Sequence, residues 1–294
     1  MQLNTSHDII GITEMQTKDI KQLIGNFATN LQEAGKSPHT VIAYKKDLEQ
    51  FGGYLFGKNK TLISEVAKED IEDFIGKLIN EGYTKKSASR KLNSIRTFYR
   101  FLKTDGIVTI SPAFDVRHPK YVSAPPRILS KLEYRALRDF AKEDVRTYAM
   151  VELLLQTGMR ISELADLKME DLRGEDLRIG GRFVPLNNAV KKALDEYLKS
   201  RGTQDDNHMF LTKTGKPLLV RNIRSVLMRC FREVGVPEAK VQDLRNTFIA
   251  YQLQSGASIS YIAKIVGHKR ILSTEKYLGL VPEAPEKKEK LGEL

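Results

Sequence analysis

Apolar residues recur at spacings of three and four along most of this chain, a period that predicts helices. One candidate runs from Lys21 to Ala34 and ends near Gly35. Ser37-Pro38 then reads as an N-cap followed by proline in the first turn, opening a second helix through Tyr44, Leu48 and Phe51. A third covers Lys68 to Asn80 and stops at Gly82. The fourth, Ser87 to Leu102, sets Ala88, Leu92, Ile95, Tyr99 and Leu102 on one stripe, which predicts core. Its other faces carry Lys86, Ser89, Arg90, Asn93, Arg96 and Arg100. Ser89, Asn93, Arg96 and Arg100 are themselves three and four apart and share a face. Such a polar-basic face fits a DNA groove or plain solvent.

The period fails between Gly106 and Arg127, where Ser111-Pro112, His118-Pro119 and Pro125-Pro126 break regular structure. Arg117, Lys120 and Arg127 lie among these prolines, so the stretch reads as an extended basic linker. Ser130-Lys131-Leu132-Glu133 is a capping box that opens a second helical region. Helices follow near 144–156, 161–167, 188–200, 220–234, 242–255 and 260–266. Leu177-Arg178-Ile179 and 182–186 read as two short strands, joined by Gly180-Gly181 in a hairpin turn. The expected organisation is an N-terminal arm at 1–15, a helical domain at 16–108, a linker at 109–127, a second domain at 128–281 and a charged tail at 282–294.

The 294 residues suffice for two domains with real cores. A formal net charge of +11 favours a polyanionic partner, above all nucleic acid. The lone Cys230 and the lack of a secretory signal suit a reducing cytoplasm. No apolar run reaches the roughly 20 residues of a membrane helix. Cys and His are too sparse for a metal site of motif spacing, so neither metal nor cofactor is expected.

Three peptides of the second domain carry chemistry. Arg160 follows Thr157-Gly158 where one helix gives way to the next, and Glu163 is placed to hold an arginine. Gln242 and Arg245 are three apart on one helical face. Gly267-His268 closes a short helix, and Tyr277 follows nine residues later. Each has a plainer reading: a surface arginine, a solvated pair, a structural histidine, a packed tyrosine. Together they form a phosphate-gripping set with a nucleophile. Arginine forks donate two hydrogen bonds to phosphate and keep their charge. A tyrosine hydroxyl attacking phosphorus breaks the phosphodiester but stores its bond energy in a covalent phosphotyrosine.

In order and spacing these peptides resemble the tyrosine recombinases, the Xer-like phage integrase family, and the resemblance covers most of the chain. It implies a mainly α fold with a small β-hairpin. A helical core-binding, SAM-like domain and a larger catalytic domain would close on DNA as a C-shaped clamp. It implies a cytoplasmic, cofactor-free, site-specific recombinase for DNA integration or chromosome dimer resolution. The partners would be double-stranded DNA and a synaptic tetramer of one protein or of two related ones, with a tail that docks into a neighbouring subunit. Arg160 and Arg245 would clamp the scissile phosphate, His268 and Gln242 assist, and Tyr277 form the 3′-phosphotyrosyl bond.

The sequence departs from the family pattern twice. Gln242 stands where members usually carry histidine, and the turn that holds their general-acid lysine is Gly180-Gly181 here. Lys213, Lys216 or a partner residue are the candidate replacements. The same departures support a second reading, a DNA-binding accessory protein of this fold that does not cleave. A third is a monomeric type IB topoisomerase.

Overall fold

The computed structural model describes residues 19–280 apart from 203 and 204. The arm at 1–15 and the tail at 282–294 lie outside the described residues. The chain divides after Ser123 into two compact units.

The described residues of the first unit form four α-helices: α1 (Ile20–Glu33), α2 (Pro38–Phe56), α3 (Lys68–Asn80) and α4 (Lys85–Thr104). Asp19, Ser37 and Thr84 cap α1, α2 and α4 through their side chains, satisfying main-chain N–H groups with no partner inside the helix. The stripe expected on α4 is buried throughout and meets Phe27, Leu48, Phe51, Ile71 and Phe74 in one core.

The expected linker is not extended over its first half. Ala113 and Val116 are buried in the same core. Arg96 donates to the carbonyls of Ala113, Phe114 and Val116 at 3.1, 3.2 and 2.6 Å. One charged fork satisfies three turn carbonyls, and that fixes the segment without regular structure.

The second unit contains α5 (Lys131–Ala141), α6 (Val145–Thr157), α7 (Ile161–Ala165) and three strands, then α8 (Asn188–Arg201), α9 (Val220–Glu233), α10 (Val241–Gln254), α11 (Ile259–Val266) and the short α12 (Leu272–Glu275). The Ser130–Glu133 box caps α5 in both directions. The strands β1 (Leu172–Arg173), β2 (Asp176–Ile179) and β3 (Arg182–Pro185) form an antiparallel sheet in that order. The hairpin turns on Gly180 and Gly181, both at positive φ, with Ile179 opposite Arg182. The two-residue strand β1 went unrecognised because it is too short to show alternation. α6 and α10 cross the centre of the unit and are buried on most faces. On α10 the burial extends to Asp243, Arg245, Asn246 and Thr247, polar groups that must find partners inside.

Candidate active site

The site is assembled around two helix ends. α6 stops at Gly158, whose φ of 62° is the left-handed region that glycine occupies freely. A Cβ there would lie 2.4 Å from Cδ1 of Phe248 on α10, so the close approach also requires glycine. This turn delivers Arg160 to the start of α7, and α11 stops in the same manner at Gly267, with φ 69°.

The last carbonyls of a helix have no partner within it, and its C-terminus carries partial negative charge. Here three guanidiniums collect on those of α11. Arg182 Nε donates to Ile265 O at 2.6 Å, Arg245 Nη2 to Val266 O at 2.7 Å, and Arg160 Nη2 to Gly267 O at 3.2 Å. Arg245 also donates to Gly158 O at 2.6 Å, so both helix ends hold it. Glu163 supplies the carboxylate. It accepts from Arg182 Nη1 and Nη2 at 2.9 and 3.0 Å, from Arg160 Nη1 at 3.0 Å and from Arg160 N at 2.7 Å. Three cations against one anion leave the site poised for a further negative charge.

The electrostatics follow. Burial, then the neighbouring Arg160, pushes Arg245 down to about 10, so it stays charged at neutral pH. Burial raises the Glu163 carboxyl, but its bonds to Arg182 and Arg160 outweigh that and hold it below the usual range. His268 is pushed down to about 4 by burial and by the cations of Arg245, Arg160, Lys276 and Arg182, which makes it neutral at pH 7. Its Nδ1 pairs with Thr274 Oγ1 at 2.8 Å.

Arg160, Gln242 and Arg245 line one cavity of about 310 Å³, together with Arg224 and Lys240. Arg160, His268 and the Gly180-Gly181 turn line a second, of about 740 Å³. Tyr277 lines neither, is 2% exposed, and donates its hydroxyl to Asn246 Oδ1 at 2.8 Å. The structure thus gathers Arg160, Arg245, His268 and Gln242 around two cavities that share Arg160, and it buries Tyr277 outside both.

Of the residues expected to face DNA, Lys86, Asn93, Arg100, Arg117 and Lys120 are exposed. Arg90 is exposed but ion-paired with the buried Asp47. Three are turned to internal partners. Ser89 is buried against His118 Nδ1 at 2.9 Å. Arg96 is spent on the docked segment described above. Arg127 pairs with Glu133 and Glu238, both at 2.7 Å. A helical wheel cannot reveal this, because the partners come from other parts of the chain.

Lys213 lines a separate groove with Arg146 and Arg201, away from Arg160. Sequence reasoning missed Lys240, although it stands two residues before Gln242. It also missed Asn246 and the anchoring of Arg182 on Ile265 O and Glu163, since Arg182 reads as a mere strand flank.

Residues 127–283 match the phage integrase family and residues 24–106 match the phage integrase N-terminal SAM-like domain. Tyrosine recombinase XerC of Thermodesulfovibrio yellowstonii is 31% identical over 276 residues, covering 86% of this chain and 90% of that one. Tyrosine recombinase XerC of Oceanobacillus iheyensis is 30% identical over 279 residues, with coverages of 86% and 90%. A lambda integrase dimer solved on a COC′ core site shares the fold, with a TM-score of 0.75 at 16% identity over 99% of this chain and 84% of that one. Sequence and fold agree, and the chain belongs to the phage integrase family of tyrosine recombinases.

Proposed function

We propose that the protein cuts and rejoins double-stranded DNA at a specific site, with Tyr277 as nucleophile and with Arg160, Arg245, His268 and Gln242 holding the scissile phosphate. The observation that carries this reading is the cluster of Arg160, Arg182 and Arg245 with one carboxylate among them, beside cavities open to solvent. Such an array stabilises the extra charge that develops on phosphorus during attack. Tyr277 Oη forms the bond to phosphorus, the bond to the 5′-oxygen breaks, the phenol proton passes to water and the 5′-oxygen takes one up. Neutral His268 donates from Nε2 to a phosphate oxygen when Thr274 donates to its Nδ1. Gln242 donates through its amide and cannot shuttle a proton.

Lys240 is the lysine that lines the cavity of Arg160, Gln242 and Arg245. We assign it the proton for the departing 5′-oxygen, a task that the Gly180-Gly181 turn cannot perform. Exposed Lys86, Asn93, Arg100, Arg117 and Lys120 serve DNA, and exchange between two duplexes, four strands in all, uses four subunits, of this chain or of this chain with a related recombinase.

The test is a nicked suicide substrate built on a site selected from random DNA. A denaturation-resistant adduct with wild type and none with Tyr277→Phe supports the reading. Tight binding without adduct from either protein would favour a non-cleaving accessory role, the reading that Gln242 and the lysine-free turn keep in play.

A further inference from the structure

Asn246 stands next to Arg245 on α10 and is 6% exposed. Its carboxamide is fully used. Nδ2 donates to Arg127 O at 3.1 Å and to Asp243 Oδ1 at 3.3 Å. Oδ1 accepts from Tyr277 Oη at 2.8 Å and from Gln242 Nε2 at 3.3 Å. The amide cannot be turned round, since a main-chain carbonyl only accepts and so fixes Nδ2 toward Arg127. One oxygen atom therefore holds both the tyrosine and a residue of the phosphate cavity.

The tyrosine is also held from its other sides. Its main-chain N–H donates to Thr274 O at 3.0 Å, and the Lys276 ammonium lies 5.1 Å from its ring centre. Its hydroxyl reaches neither cavity that Arg160 lines. Attack on a phosphate there requires the hydroxyl to leave Asn246. An amide oxygen is too weak a base to take the phenol proton, so Asn246 is no general base in the step.

We propose that Asn246 is a positioning residue, a latch that withholds the Tyr277 hydroxyl until a phosphate occupies the site and draws Gln242 away from the shared oxygen. This rests on Tyr277 being the nucleophile. Removing the acceptor leaves a buried hydroxyl unpaired and weakens the withdrawn state, because an unsatisfied buried donor is costly. We expect release to speed attack about tenfold, equivalent to about 1.4 kcal/mol.

The experiment uses Asn246→Ala and Asn246→Ser in the full chain, the serine being too short to reach Tyr277. Nitration of Tyr277 by tetranitromethane in DNA-free protein, followed by mass spectrometry of its peptide, reads exposure without any catalysis. Single-turnover adduct formation on the suicide substrate reads attack, and DNA affinity reports that the fold is intact. The latch predicts nitration about tenfold faster and adduct formation about tenfold faster in both variants. Unchanged nitration in a variant that binds DNA normally overturns it, as does faster nitration with slower adduct formation. If no protein forms an adduct, the nucleophile assignment fails, and the nitration rates alone decide whether Asn246 holds the hydroxyl.

Discussion

Replacing Glu163 with glutamine removes the only carboxylate hydrogen-bonded to Arg160 and Arg182 among the described residues. Glutamine keeps the shape and one acceptor oxygen, but loses the charge and the two-pronged bond to Arg182. Breaking a buried ion pair costs about 3–5 kcal/mol. Arg182 is 12% exposed and carries most of that, whereas Arg160 is 43% exposed, where a pair is worth under about 1 kcal/mol. Allowing for the retained oxygen, we expect a loss of about 2–3 kcal/mol. For a unit of this size that lowers its melting temperature by about 5–10 °C. The assay is thermal melting with and without sulfate. A bound divalent anion replaces the missing charge, so sulfate should raise the melting temperature of Glu163→Gln more than that of wild type. Acid should act in the same direction. The carboxyl lies below its ordinary 4.5, so its contribution is present above that pH and lost as pH falls through the lowered value. Equal melting temperatures with equal sulfate responses would refute the charge-balance argument.

Gly158→Ala should cost about 2–4 kcal/mol, because the methyl meets Phe248 at 2.4 Å and the backbone sits at φ 62°; urea unfolding measures it. His268→Gln should flatten the pH dependence of stability between about 6.5 and 4. In wild type the unfolded histidine protonates first, so stability falls as pH drops through that window; melts across that range check it. Lys240→Ala should slow cleavage about 10²–10⁴-fold and recover on a substrate whose leaving 5′-oxygen is replaced by sulfur, which departs without a proton. Arg96→Ala should free residues 113–118, seen as faster amide hydrogen exchange there, with a stability loss of about 1–3 kcal/mol.

Local signals in the sequence carried much of the fold. The stripe on α4, the Ser130–Glu133 box and the Gly180-Gly181 turn depend on neighbours within a few residues, and each is present as read. Order and spacing single out Arg160, Gln242, Arg245, His268 and Tyr277; the first four line one or both of the two cavities that share Arg160, and Tyr277 lies outside both. What escaped was set by distant partners. Arg96 and Ser89 share a polar face on the wheel, yet they meet main chain and His118 some 17 to 29 residues later. Arg182 looks like a strand flank until Ile265, 83 residues on, supplies its acceptor. Asn246 carries no signal, since its role appears only where four partners converge.

The arginines of the site rest on main-chain oxygens of three successive residues, Ile265, Val266 and Gly267. Main-chain oxygens do not change when a side chain is exchanged. Swaps of similar volume at 265 and 266 should therefore leave the array in register. Deletion or insertion of one residue within α11 is another matter. It turns every later carbonyl by roughly 100° and dismounts all three guanidiniums together. Along this stretch the enzyme is open to change in letters and closed to change in length.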